Sequence, residues 1–297
     1  LEIVVVSVFL LSMSLADWKP KIRISILIFV FMISFYHTVR AIVDGNPIIV
    51  MALLMVTILL SLRNQNYPVA GILLSGTFIE IQYTFILVIF ILLFALANRK
   101  TQVITYFVGT MIILIGFSFL IQPDWLGNYI HQLWATLNGL FPTNMIKFLR
   151  LAGRETGTRI GLAFGIMIVL LIIFEGIGTR NKGFGYFIWY IFLSFTFLQL
   201  SGLPAVADNY FLLLPGFIYG LKFLSERWKN KGEFIVFLIT VSLSTVTWIS
   251  FFISRGSGLK YQEPGALHFI FPIYVMITLY WIKWWIRRKK EFEFGQL

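Results

Sequence analysis

Long apolar runs separated by short polar segments extend along almost the whole of this 297-residue chain. A helix that crosses a bilayer needs about 20 mainly apolar residues, with a usual range of about 17 to 25. Nine runs of roughly suitable length and character cover residues 1–15, 22–43, 47–62, 103–121, 159–176, 184–201, 209–225, 233–254 and 267–286. The pattern therefore predicts an all-α, polytopic membrane helix bundle.

A further apolar stretch, residues 68–97, is interrupted by Glu80 and Gln82. One tilted helix or two short half-helices would both fit this stretch. The distribution of positive charge bears on the choice, because Lys and Arg are enriched in cytoplasmic loops. Alternate polar segments hold 17 of the 24 Lys and Arg residues: 16–23, 62–67, 98–102, 177–183, 222–232 and the tail from 283.

Arg63 and Arg99 then share the cytoplasmic side, so the chain between them is predicted to cross twice, or to enter and return, as a short hairpin. The whole chain is expected to make about ten crossings of the cell membrane, with its C-terminus in the cytoplasm. Glu80 lies at the hairpin tip. It is a candidate functional carboxylate if the tip lies within the membrane, or a solvated group if the tip reaches the headgroups.

The composition agrees with a membrane protein. Charged residues make up 12% of the chain and apolar residues 59%, whereas a soluble domain carries about a quarter charged residues. Residues 1–297 are expected to form a single integral membrane domain surrounded by lipid. The net charge of +11 reflects the loop bias, so no nucleic-acid partner is predicted. The absence of Cys excludes disulfides and thiolate-ligated metals.

The longest polar segment, residues 122–158, falls on the predicted outer side. Its Trp125, Tyr129 and Trp134, interleaved with Leu residues, have the spacing of a short amphipathic helix that lies in the interface. The same residues also suit an aromatic belt, because Trp and Tyr favour headgroup depth whatever the function. The two interpretations are compatible.

Four cations in Gly-rich segments of the outer side are candidate phosphate-binding residues. Arg154 and Arg159 precede an apolar run, and Arg255 and Lys260 lie in a second Gly-rich loop. Helix N-termini and Arg side chains both suit phosphate, although flexible turns that bind lipid headgroups would show the same pattern. Neither segment has the P-loop spacing of nucleotide binders.

His131, also on the outer side, is a candidate hydrogen-bond donor to a phosphate or a sugar, or an ordinary interface residue. His37, His131 and His268 lie in different segments, and no two have the i, i+4 spacing of a metal-binding pair. No metal and no cofactor is predicted.

Residues 44–97 contain a more specific pattern. Residues 44–47, Asp-Gly-Asn-Pro, open one apolar run, and the Ala-Gly pair at 70–71 leads to Glu-Ile-Gln at 80–82. This order resembles the central region of the bacterial polyprenol-phosphate-sugar-dependent C-type glycosyltransferases related to alpha-mannosyltransferases. In that family a Gly-Gln-x-Asn helix start is followed by a basic turn, then Ala-Gly, then Lys-Pro-Gln. Here Asn46 replaces the Gln, and Glu and Ile replace Lys and Pro.

The resemblance extends over about residues 40–225. Residues 122–129 resemble the family's Pro-containing outer loop. Residues 207–215 resemble its late helix, which begins with polar and aromatic residues and carries a Pro, and in which a His often stands where this chain has Asp208 or Asn209.

The resemblance implies an enzyme that moves a sugar from a polyprenyl-phosphate carrier to an acceptor at the outer face, with inversion of the anomeric centre. Such chemistry needs a carboxylate to deprotonate the acceptor and cations to stabilise the departing phosphate. The family's catalytic Asp is expected upstream of Leu1, whose apolar run does not resemble a signal peptide. Among the carboxylates of this chain, Glu80 and Asp44 are the candidates. The expected partners are the carrier-linked sugar and membrane lipids, and protein partners stay open.

Two other hypotheses remain at this point. A transporter, flippase or polymerase of surface polysaccharide is expected to show internal repeats and broken helices around a midplane site. A non-catalytic subunit of a larger membrane complex is expected to close its outer face with packed aromatic residues.

Overall fold

The structure, a computed structural model, describes residues 1–140, 154–179, 182–201, 207–228, 231–256 and 265–288. All regular secondary structure in these residues is helical. The α-helices are α1 Glu2–Leu15, α2 Ile22–Ser34, α3 Tyr36–Val43, α4 Ile48–Arg63, α5 Tyr67–Gly76, α6 Ile81–Ala97, α7 Thr101–Ile121, α8 Trp125–Leu140, α9 Arg154–Thr179, α10 Phe184–Ser201, α11 Leu214–Arg227, α12 Gly232–Gly256 and α13 Gly265–Arg288. Two 3₁₀ segments, Thr77–Glu80 and Ala207–Leu213, precede α6 and α11.

Several of these helices are long and apolar enough to cross a bilayer, so the predicted all-α membrane architecture is confirmed at this level. Within the described residues, the runs that qualify are Tyr67–Ala97, Thr101–Ile121, Arg159–Gly178 and Gly232–Ile253. Helices α2 and α3 qualify together as a fifth, although they meet at an angle of 49°.

Helix α7 shows which solvent the surface suits. Only 6% of its most apolar window is buried, and its Ile113 and Leu120 side chains are 70% and 84% exposed. A helix that is apolar on all sides and yet exposed is stable in lipid rather than in water. The lateral surface of the bundle, which surrounds the helices, is therefore suited to contact with lipid chains.

The two ends of the bundle are defined by contacts between helix termini. At one end, called the Arg63 end, Arg63 Nη1 donates to the carbonyl oxygens of Ser14 and Leu15, at 2.9 and 3.2 Å. These contacts join the C-termini of α1 and α4, which therefore run in the same direction. The opposite end, where α3 ends and α4 begins, is called the Asp44 end.

Further helix termini meet at the Arg63 end. Lys21 Nζ, just before α2, lies 2.8 Å from Glu233 Oε1 at the start of α12. Lys100 Nζ, just before α7, lies 4.7 Å from the centroid of the Tyr67 ring at the start of α5. These pairs bring the segments before α2, α5, α7 and α12 to one end.

The remaining basic segments lie at the same end. The Phe94 and Phe184 rings, 6.0 Å apart, join the end of α6 to the start of α10. Tyr219 in α11 donates to the Gly185 carbonyl oxygen at 3.4 Å. Lys283, at the start of the basic tail, contacts the Trp189 ring in the first turns of α10. Within the described residues, the polar segments that hold most of the Lys and Arg residues are therefore gathered at the Arg63 end.

The apolar run Tyr67–Ala97 folds back on itself. A straight helix of its 31 residues would be about 46 Å long and would hold Tyr67 far from Lys100, yet the two are in contact. Helix α5 runs beside α7 in the same direction, since the Phe78 and Phe107 rings lie 5.8 Å apart. Helix α6 therefore runs the opposite way, and the chain reverses at Thr77–Glu80, where the charge count predicts a hairpin tip.

Gly71 explains why α5 and α7 approach so closely. A Cβ atom at this position would lie 2.4 Å from the carbonyl oxygen of Val103. Any other residue would push the two helices apart, because the obstructing atom belongs to the backbone. The Ala-Gly pair at 70–71 therefore has a packing role.

Helix α8 forms within residues 122–158, for which the sequence predicts an interfacial helix on the outer side. Its Trp125 and Tyr129 side chains are half-buried, whereas Ile130 and Trp134 are exposed. Residues 141–153, the rest of the predicted segment before α9, lie outside the described residues.

A buried ion pair joins α9 to α13. Lys283 Nζ donates to Glu175 Oε2, and both side chains are largely buried. The Lys283 ammonium also lies 5.1 Å from the Trp189 ring centroid and 5.7 Å from that of Tyr280. The two charges and the surrounding rings thus fix the relative positions of α9, α10 and α13.

Lys283→Met is expected to destabilise the protein, because it leaves the Glu175 carboxylate buried without its cation. Removing one partner of a buried pair costs about 3 to 5 kcal/mol. The double variant Glu175→Gln, Lys283→Met carries neither charge and is expected to recover most of this loss. Thermal unfolding of the detergent-solubilised protein, followed by circular dichroism, measures both effects.

Lys21→Met is the matched control, because the Lys21 and Glu233 side chains are 76% and 50% exposed. An exposed ion pair contributes at most about 1 kcal/mol. Equal unfolding midpoints for Lys21→Met and Lys283→Met would show that the buried pair does not stabilise the bundle.

Candidate functional site

Two broken helices meet at the Asp44 end. Helix α2 ends at Ser34, Phe35 is extended with φ −65° and ψ 134°, and α3 continues at 49° to α2. The 3₁₀ segment Ala207–Leu213 begins α11 and packs against α3 and α4. In many membrane transporters, interrupted helices form the substrate and ion sites. This junction is therefore the first place to look for a site.

Asn46 links the two breaks. Its Nδ2 donates to Asn209 Oδ1 at 3.2 Å, and its Oδ1 accepts a hydrogen bond from the N–H of Ile48 at 2.9 Å. The second bond satisfies one of the free N–H groups at the start of α4. Gly45 has φ +65°, which lets the chain turn sharply from α3 into this position.

His37 is packed inside the same junction. Its side chain is fully buried, and its ring lies 5.0 Å from the Phe35 and Tyr210 rings and 5.9 Å from the Phe271 ring. The sequence analysis considered His37 only as a metal ligand and did not predict that it packs among aromatic rings in this junction. A polar residue in the apolar run 22–43 was the available signal.

Asp44, one of the two candidate catalytic carboxylates, lies on the surface of this junction. Its Oδ2 is 2.9 Å from Arg40 Nη2, and both side chains are more than a third exposed. The carboxylate therefore faces solvent while an adjacent guanidinium compensates its charge. This arrangement leaves the Asp44 carboxylate accessible from outside the protein.

Glu80, the second candidate, lies at the reversal between α5 and α6. Its side chain is half-buried and accepts a hydrogen bond from Gln82 Nε2 at 2.5 Å. Gly76, four residues earlier, packs against Leu54, about 9 Å along α4 from its first residue. The reversal therefore lies near the depth at which α4 begins, at the same end as Asp44.

Tyr129 of α8 covers this reversal. Its hydroxyl donates to the carbonyl oxygen of Phe78 at 3.3 Å. Burial raises the pKa of Tyr129, and the negative charge of Glu80 raises this pKa further. The phenol therefore stays protonated at neutral pH and remains a donor to the hairpin backbone.

The predicted phosphate-binding cations are only partly within the described structure. Arg159 is 84% exposed on its side chain and lies 4.0 Å from Glu155, and His131 is exposed on α8. Arg154 begins α9 and Arg255 lies near the end of α12, but their side chains fall outside the described residues. Lys260 lies wholly outside them.

Helix α9 places its first turn at the Asp44 end, because its later turns contact Tyr190, which lies near the start of α10 at the Arg63 end. Arg159 therefore shares an end of the bundle with Asp44 and Glu80. In the part of the chain that the structure describes, no three His, Asp or Glu side chains are grouped as a metal site would require.

Asn46→Ala is expected to lower the free energy of unfolding by about 1 to 3 kcal/mol, because it removes both the bond to Ile48 and the link to Asn209. Asn46→Ser keeps an oxygen for the Ile48 N–H but is too short to reach Asn209. It is expected to recover about 1 kcal/mol of the loss. Thermal unfolding in detergent measures the difference.

Asn66→Ala is the matched control. The Asn66 side chain accepts from the Val69 N–H at 3.4 Å at the start of α5, so the bond that it makes is local to its own helix. Equal losses for Asn66→Ala and Asn46→Ala would mean that the link to Asn209 contributes nothing.

No family model, no curated protein and no solved structure matches this chain. Its function is therefore inferred from the geometry of the Asp44 end together with the family resemblance of its sequence motifs.

Proposed function

We propose that the protein is an inverting glycosyltransferase that takes a sugar from a polyprenyl-phosphate carrier at the outer membrane face. The observation that carries this proposal is the hydrogen bond between Asn46 and Asn209. These residues belong to the two separate segments, 44–47 and 207–215, that resemble the family. A fold that joins two motifs 163 residues apart supports the interpretation that they belong to one site.

The proposed reaction needs a base and an anion-stabilising group. The acceptor oxygen attacks the anomeric carbon from the face opposite the carrier, its proton passes to a carboxylate, and the bond from carbon to phosphate oxygen breaks. The polyprenyl phosphate then leaves with both bonding electrons. Asp44 and Glu80 are the proposed bases, and Arg154, Arg159, Arg255 and Lys260, with His131, are the proposed partners of the phosphate.

The proposed topology has about ten crossings, with the Arg63 end in the cytoplasm. It is supported by the gathering of the basic segments at that end and by the reversal of the chain at Thr77–Glu80. The Asp44 end, with both candidate carboxylates, then faces outward, where a carrier-linked sugar is presented.

Transport of a lipid-linked sugar is the second candidate function. The break at Phe35 favours it, because interrupted helices beside a buried polar residue are typical of transporters. The two functions differ in their product: a transferase forms a new glycosidic bond, and a transporter moves the intact carrier across the bilayer.

Isolated membranes that contain the full-length protein are expected to transfer label from a radiolabelled polyprenyl-phosphate sugar to an acceptor. Asp44→Asn combined with Glu80→Gln is expected to reduce this transfer by about 100-fold or more, as the loss of a general base does. The single variants then identify which carboxylate is the base. Unchanged transfer in the double variant would assign the base to another carboxylate of the full-length protein. Product formation is measured by chromatography of the labelled lipids and acceptors.

Glu233→Gln, which removes an exposed carboxylate at the Arg63 end, is the control and is expected to leave transfer unchanged. Failure of the full-length protein to transfer any polyprenyl-phosphate sugar would refute the enzymatic proposal. Movement of the intact carrier in the same membranes would then favour transport.

The topology predicts which introduced cysteines are accessible from outside. The chain has no Cys, so Asn64→Cys, Asn98→Cys and Asn128→Cys each give a single exposed thiol. A membrane-impermeant maleimide applied to intact cells is expected to label residue 128 and to leave 64 and 98 unlabelled. After permeabilisation all three should react, which is the control. Labelling of only one of positions 64 and 98 in intact cells would mean that residues 68–97 cross once.

A further inference from the structure

Buried amide atoms that have no hydrogen-bond partner among the described residues lie near the junction of the broken helices. Gln199 in α10 is 2% exposed, and neither atom of its carboxamide has a partner among the described residues. Asn209 is fully buried, and its Nδ2 likewise has none within that part of the chain, since its bond to Asn46 uses only Oδ1. The hydroxyl of Thr38, in α3, is also buried and has no hydrogen-bond partner among the described residues.

Such groups are costly. A buried polar group without a partner loses about 1 to 3 kcal/mol relative to water, and native proteins contain few of them. Where they occur, an ordered water, an ion or a functional role of the group accounts for them. Two amides and a hydroxyl together give several donors and acceptors at one end of the bundle.

Gln199 and Asn209 lie at similar depth on neighbouring antiparallel elements. Helices α10 and α11 touch where a Cβ on Gly216 would meet the Phe192 side chain at 3.1 Å. Gln199 is seven residues beyond Phe192, about 10 Å along α10. Asn209 is seven residues before Gly216, about 13 Å along the 3₁₀ segment and the first turn of α11.

Thr38 belongs to the same region. It follows His37, whose ring lies 5.0 Å from the Tyr210 ring, and Tyr210 follows Asn209. The Phe271 ring borders His37 on another side. Aromatic rings therefore lie close to the uncharged polar groups.

The chemistry of these residues favours a carbohydrate over a phosphate. A carboxamide both donates and accepts, which matches sugar hydroxyls that do the same. Phosphate sites in proteins are built from cations and backbone N–H groups, whereas Gln199, Asn209 and Thr38 are uncharged. We propose that Gln199 and Asn209, with Thr38, bind the hydroxyl groups of the carrier-linked sugar. This assignment rests on the proposed function, of which it specifies the sugar-binding part.

The test measures lipid preference. Full-length protein in nanodiscs is titrated with polyprenyl-phosphate glucose, polyprenyl-phosphate mannose and bare polyprenyl phosphate. The wild type is expected to bind at least one glycosylated carrier more tightly than the bare carrier. Gln199→Leu is expected to weaken that binding by about tenfold, which corresponds to one or two lost hydrogen bonds, and to leave the bare carrier unaffected.

Thr196→Val is the matched control on the same helix. Thr196 is also buried, but its hydroxyl already donates to the Phe192 carbonyl oxygen at 2.8 Å. It is expected to leave the preference between carriers unchanged. Gln199→Met provides a second variant of similar size, and thermal unfolding of each variant shows that it is folded.

The outcomes distinguish the proposed sugar-binding residues from the proposed glycosyltransferase activity. A wild type without preference for a glycosylated carrier, or a preference that survives both Gln199 variants, overturns the sugar subsite and indicates an ordered water instead. Transfer activity in the membrane assay would still stand in that case. Conversely, a preference lost in the Gln199 variants without any transfer would retain the subsite and refute the enzyme.

Discussion

Backbone N–H and C=O groups that lie in lipid need partners within the chain, and the rest of this structure depends on that constraint. The chain meets it with helices, and its buried hydroxyls mostly bond to their own helix. Ser194 donates to the Tyr190 carbonyl oxygen, and Thr240 donates to that of Val236, both at 2.8 Å. Polar side chains satisfied in this way cost little in an apolar interior. Charged groups are left to gather at helix ends or to form pairs such as Glu175 and Lys283.

The same constraint explains why the helix breaks are well defined. Where α2 ends, the Ser34 carbonyl oxygen accepts a hydrogen bond from Trp248 Nε1 at 2.9 Å. Where α5 gives way to α6, the Thr84 hydroxyl donates to the carbonyl oxygens of Thr77 and Glu80, at 2.8 and 3.1 Å. The first break is therefore stabilised by a distant side chain and the second by one from the following helical turn, as membrane helices require when backbone groups are freed. The polar residues of the candidate site lie beside these breaks.

The sequence predicts features that depend on the local pattern of apolar residues or on the number of Lys and Arg residues in each loop. The helices follow from apolar runs, and the reversal at Thr77–Glu80 follows from the charges of the flanking loops. Long-range contacts could not be predicted, because nothing in the sequence around Asn46 or Asn209 indicates a contact with a residue 163 positions away. Gln199 was visible as a lone amide in an apolar run, but its burial depends on the packing of α10 against α11. Asp44 is a candidate because of its motif, and its ion pair with Arg40 could have been predicted from their i, i+4 spacing.

Depth separates the two kinds of polar group at the Asp44 end. Arg159 and His131 are exposed, whereas Gln199 and Asn209 are buried and uncharged. A phosphate is charged, and burying a charge costs far more free energy than burying hydroxyl groups that gain hydrogen bonds. If the donor binds as proposed, its phosphate stays with the exposed cations at headgroup depth and its sugar reaches the amides. Discrimination between sugars then depends on buried amides rather than on charge, because an amide that the wrong sugar leaves unpaired keeps the cost of a buried group without a hydrogen bond.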